Sequence, residues 1–183
     1  GSLAGALTTN NTSRLSPGAS PETLATGSLT LTSGTFFDVE IGGTAPGNGV
    51  TGYDQVNVTG SVSLGNATLN LLQFAGFTVN SGIAQSYIII PIDGGDAVTG
   101  TFLNQPEGSP ISYAGGGTLY VSYAGNDGND VVLYSQPTVN GGAGADALVL
   151  RQVSGNPVLV EFSLNAATFV QVTSTLPFLY NGN

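Results

Sequence analysis

Between Thr35 and Leu72 apolar residues recur at every second position, and no feature of the chain restricts its fold more. In Phe37-Asp38-Val39-Glu40-Ile41 two carboxylates separate three apolar side chains, and Val56/Val58, Val62/Leu64 and Ala67/Leu69/Leu71 keep the same spacing. A period of two puts one face of each run into a core and the other outside, as a half-buried β-strand requires. Gly, Thr and Asn fill the corners between the runs, and nothing here has a helical period. The chain reads as all-β.

Composition supports this. The 183 residues are enough for one sizeable core. With 28 Gly, 9 Pro and only 7% charged residues, the chain suits short strands joined by tight corners and lacks what long helices need. A hydrophobic fraction of 40% argues against disorder.

Further along, Ser28–Ser33 alternates with Leu29 and Leu31 inward, and Tyr87–Ile92 is apolar on both faces, as a strand covered on both sides would be. Pro91 lacks a ladder donor, which places this strand near an edge or bulge. LYVSY at 119–123 and VVLY at 131–134 pair around GNDGND. The composition shifts at Ser135-Gln136-Pro137, dividing the chain into a domain over 1–134 and a β-rich extension over 135–183. Val58, Ile89 and Val121 are spaced by 31 and 32 residues, and Leu69, Phe102 and Leu133 by 33 and 31. Stacked coils of a solenoid produce such steps, and so do successive hairpins of a sandwich.

A resemblance favours the first. The Ser16-Pro17-Gly18 corner, DVEI at 38–41, Tyr53-Asp54 before VNVTG, SVSLGNATLNL at 61–71, VTGTF at 98–102 and YAGNDGNDVVL at 123–133 follow one another in an order that resembles the end of a bacterial autotransporter-type passenger. The resemblance is to its autochaperone-like, β-strand-repeat rungs and covers about residues 15–134. It implies a right-handed parallel β-helix, a β-solenoid, with hairpin-like terminal rungs; the alternative is an antiparallel β-sandwich. It also implies a secreted or cell-surface setting, and the chain reads as an internal piece of a larger protein.

A second motif is the glycine–aspartate turn. Residues 141–149, GGAGADALV, fit G-G-x-G-x-D-x-U-x in full, and 125–133, GNDGNDVVL, fit with Asn in second place. Both resemble the RTX nonapeptide, whose turn carbonyls and carboxylates hold calcium. The resemblance makes Asp127, Asp130 and Asp146 the candidate calcium ligands, with plain turns into strands as the other reading.

Charge narrows the function classes. The formal net charge is −9, with Arg14 and Arg151 the strong bases. Two separated arginines cannot replace the counterions of a nucleic acid, and they disfavour an anionic membrane surface equally. Without Cys or His, zinc and haem lose their usual ligands, so an oxygen-ligated ion is the metal to consider. The longest apolar run is too short to insert in a membrane. Asp93 and Asp96, in Asp93-Gly94-Gly95-Asp96, are the best acid/base pair, with Asp38/Glu40 on an outward strand face next; a tight turn explains the first pair more simply. The expectation is a non-catalytic structural or adhesive segment that self-associates end to end, with copies of itself, neighbouring segments of the same protein or surface polysaccharide as partners. Tyr113, Tyr120 and Tyr134 are its candidate contact aromatics. The alternative is a carbohydrate-binding or carbohydrate-active module using Asp93 and Asp96.

Overall fold

The computed structural model describes residues 1–80 and 83–136 and, beyond them, the backbone of five strands. By chain contacts it divides into two compact units, Gly1–Val79 with Ser86–Tyr134, and Asn80–Gln85 with Ser135–Asn183.

In the first unit the strands are β1 (Leu7–Thr8), β2 (Arg14–Leu15), β3 (Thr23–Thr26), β4 (Leu29–Thr30), β5 (Phe36–Ile41), β6 (Ala45–Pro46), β7 (Gly52–Tyr53), β8 (Gln55–Val58), β9 (Val62–Ser63) and β10 (Thr68–Gln73). After them come β11 (Ser86–Ile90), β12 (Val98–Thr99), β13 (Pro110–Ser112), β14 (Thr118–Gly125) and β15 (Asp130–Tyr134). The single helical element among the described residues is a 3-10 turn at Gly49–Thr51.

Three small sheets pair mainly in parallel. One runs β1-β4-β9-β12, a second pairs β3 with β8, and a third joins β2, β5 and β10. Their registers align Arg14 with Phe36 and Phe36 with Thr68, and Thr23 with Gln55. The third sheet is mixed, since β7 meets β5 antiparallel at Ile41↔Tyr53. The fourth sheet, β11-β15-β14-β13, is wholly antiparallel.

The expected right-handed parallel β-helix is therefore overturned. The strands are shared among several small sheets of differing direction, and in the first unit parallel addition stops after β12. The supposed repeat columns do not stack either: Val121 of the first set pairs antiparallel with Leu133 of the second. The physical reason is local. A short turn joins β14 to β15, so its loop closes at little entropic cost, and the β-branched run Val131-Val132 meets its partner across a hairpin. The result is nearer to the sandwich alternative, small sheets turned towards a common interior, although three of them pair in parallel.

One apolar cluster joins these sheets. Leu29, Phe37, Val39, Ile41, Val56, Leu64, Ile89, Leu119 and Leu133 are all fully buried, so the alternating runs face inward as their period requires. The Phe37 and Phe102 rings stack with centroids 6.0 Å apart. Tyr87–Ile92 is buried at Tyr87, Ile89, Ile90 and Ile92, in keeping with a strand covered on both faces.

In the second unit, strands β16 (Thr138–Asn140) and β20 (Leu179–Asn181) pair in parallel. Strands β17 (Leu148–Gln152), β18 (Leu159–Leu164) and β19 (Val170–Thr173) form an antiparallel sheet.

Candidate functional site

Val58 N–H donates to the Pro91 carbonyl and Asp93 N–H to the Val58 carbonyl, both at 3.0 Å, which joins the 91–93 segment to the end of β8. One step earlier in this register the donor facing β8 would come from residue 91, and proline has none. Side chains take over: Gln55 Nε2 donates to the Ile88 carbonyl at 2.7 Å, and Ile88 N–H donates to the Tyr53 hydroxyl at 3.3 Å. Between β8 and the 91–93 segment lies a shallow groove of about 390 Å³, lined by Gln55, Asn57, Val58, Thr59, Pro91, Ile92 and Asp93.

At one end of this groove two glycine–aspartate turns meet. Asn129 Nδ2 donates to the Gly94 carbonyl at 3.1 Å and to the Asp96 carbonyl at 2.9 Å, tying the 125–130 turn to the 93–96 turn. Asp130 is buried, and Oδ1 accepts from Ile92 N–H while Oδ2 accepts from Asn126 Nδ2, each at 2.7 Å. Thus Asp130 serves the N–H that Ile92 turns away from β8. Asp127 is exposed in the same turn, and Asp146 lies outside the described residues. Among the described residues no group of three or more His, Cys, Asp or Glu side chains is gathered to hold a metal ion.

Asp93 and Asp96 are both exposed, and only Asp93 lines the groove. The second expected pair is corrected at Asp38, while Glu40 is half-buried. Asp38 is 3% exposed and not outward in solvent, because Arg14 pairs with its Oδ2, Asn70 Nδ2 donates to its Oδ1 at 2.8 Å, and Ser16 Oγ lies 3.4 Å from Oδ2. Arg14 reaches there while lying over the Phe36 ring, 5.1 Å from its centroid.

Asp54 is a further buried carboxylate. It is 1% exposed and accepts from the backbone N–H of Glu22 and of Glu40, each at 2.9 Å. Burial raises its pKa to about 6, with the nearby Glu40 and Glu22 carboxylates pushing the same way and the two amides opposing. The only sequence signal for this role is its place at the corner of Tyr53-Asp54 before a strand.

Two of the three contact aromatics are also corrected. Tyr113 is buried, and its hydroxyl donates to the Ile41 and Phe77 carbonyls at 2.8 and 3.0 Å. Tyr134 is buried and stacks on the half-buried Tyr120, centroids 5.7 Å apart. The exposed large apolar side chains are others, among them Phe36, Leu72 and Leu103. No protein-family model, curated protein or solved structure matches this chain.

Proposed function

We propose that this chain is a non-catalytic structural or adhesive segment of a secreted or cell-surface protein, acting through the faces of rigid small sheets. One observation carries the reading. Phe36 and Leu72, each 38% exposed, stand on the outward side of β5 and β10, and Leu103, 48% exposed, follows where its N–H meets the Ala67 carbonyl. Between Phe36 and Leu72 runs the polar strip of Asp38 and Asn70, whose charge Arg14 balances. A partly apolar, charge-balanced face on a chain of net charge −9 suits contact with a copy of itself, a neighbouring segment or a surface polysaccharide.

Calcium at the glycine–aspartate turns, through Asp127, Asp130 and Asp146, belongs to the same reading as an accessory stabiliser. Asp130 already accepts a protein donor on each oxygen, so its share in such an ion is small.

Beads coated with the chain are expected to adhere to a polysaccharide-bearing surface and to one another, and a Phe36→Ser, Leu72→Ser double variant is expected to lose most of that adhesion. Release of reducing ends from polysaccharide that stops in an Asp93→Ala, Asp96→Ala variant would overturn the non-catalytic reading.

A further inference from the structure

We propose that the groove beside Pro91 binds a neutral polysaccharide chain, with Asn57 and Asp93 as its principal hydrogen-bonding side chains. The proposal rests on the adhesive reading above and gives it a ligand class.

The alternation of β8 turns Val56 and Val58 into the core and leaves Gln55, Asn57 and Thr59 on the groove side. Gln55 Nε2 is committed to Ile88, and Thr59 Oγ1 donates to the Thr26 carbonyl at 3.4 Å. Asn57 is different, for its Oδ1 is enclosed and has no hydrogen-bond partner. A buried carbonyl oxygen without a donor costs free energy, and turning it out to a ligand donor in the groove would remove that cost. Rotation about the broad terminal torsion of asparagine presents either the oxygen or the nitrogen to the groove. Across the groove Asp93 is exposed and adds two acceptor oxygens.

These groups select the ligand. With Asp93 as its only charged lining residue and no cation, the groove repels uronates, sulfates and phosphates. Asparagine offers donors and an acceptor together, and its complement is a group that is also both, a hydroxyl and not an ammonium. The Pro91 ring supplies an apolar patch for the non-polar face of a sugar. A volume of about 390 Å³ lies in the range of small-ligand sites, but the groove is too open to enclose one. An open groove over β8 and the 91–93 segment fits one or two units of a longer chain.

The test is isothermal titration calorimetry of the whole chain with a soluble linear neutral hexasaccharide, and with a hexauronate of the same length. The neutral sugar is expected to bind and the uronate not to. Asn57→Ala and Asp93→Ala are each expected to weaken binding at least tenfold, while Asp96→Ala leaves it unchanged. Thermal melts of the three variants confirm that each is folded. Equal binding of the uronate, no heat from the neutral sugar, or unaltered affinity in folded Asn57→Ala and Asp93→Ala proteins overturns the proposal. Beads that still adhere in the absence of sugar binding would remove the groove from the account and leave the adhesive reading standing.

Discussion

Asp54 and Glu40 exchange two hydrogen bonds: Asp54 N–H donates to the Glu40 carbonyl, and Glu40 N–H donates to Asp54 Oδ2, both at 2.9 Å. The other oxygen of Asp54 accepts from Glu22 N–H, just before β3. One buried side chain thus fastens the chain ahead of β3 to β5, in two different sheets.

Removing that carboxylate orphans two amides at once. Asp54→Ala is expected to destabilise the first unit by about 2–4 kcal/mol, the lower part of twice the roughly 1–3 kcal/mol cost of an unsatisfied buried group, because Glu22 is exposed and water can reach its amide. Chemical denaturation measures it, with Asp96→Ala, on an exposed turn, expected to stay within about 0.5 kcal/mol of the parent.

The same residue makes stability depend on pH. Its folded pKa is raised to about 6 from an ordinary 3.8, so the folded state holds this proton more tightly than the unfolded chain does. The resulting stabilisation is fully present below pH 3.8 and is lost as pH rises through about 6. Melting temperature is therefore expected to fall between about pH 4 and pH 6 and to level off above that, and Asp54→Asn, which cannot titrate, to flatten that slope. An equal slope in the variant would assign the effect elsewhere.

Arg14 partners Asp38 from an exposed position, its side chain 57% accessible against 4% for the carboxylate. Arg14→Ala leaves Asp38 with Asn70 and Ser16 and removes the cover over Phe36. Since solvent can partly replace an exposed guanidinium, the expected loss is about 1–2 kcal/mol, less than for a fully buried pair. Thermal denaturation at low and high salt should show the difference between parent and variant shrinking as salt rises.

Gly65 combines a φ of +52° with a Leu31 carbonyl oxygen that lies directly against the place a Cβ would take. Gly65→Ala is expected to cost more than about 2 kcal/mol, since left-handed strain alone accounts for roughly 1–2 kcal/mol and the close contact adds to it. At Gly94 the φ is +63° with open space around it, so Gly94→Ala should show the strain without the clash.

Chelation separates the two glycine–aspartate turns. With both Asp130 oxygens satisfied by Ile92 and Asn126, the melting of the first unit is expected to be unchanged by EDTA. A calcium-dependent shift of that transition would instead place an ion at Asp127 and Asp130.

What the sequence by itself determined is the inward set. Phe37, Val39, Ile41, Val56 and Val58 face the core because a strand's side chains alternate whatever the strand pairs with. Pro91 likewise signalled a break in a ladder, since a missing N–H is a property of the residue alone. Only the tertiary structure decided which strands pair, in which direction, and what covers their outer faces. Asp38 alternates as an outward residue should, yet it is buried by Arg14 from 24 positions earlier and Asn70 from 32 later. Tyr113 reads as a surface ring until the carbonyl of Ile41, 72 positions away, accepts its hydroxyl. Periodicity is local and survives in the sequence, whereas pairing is a choice among distant segments, and the groove is lined by two of them, 55–59 and 91–93, that only the fold sets side by side.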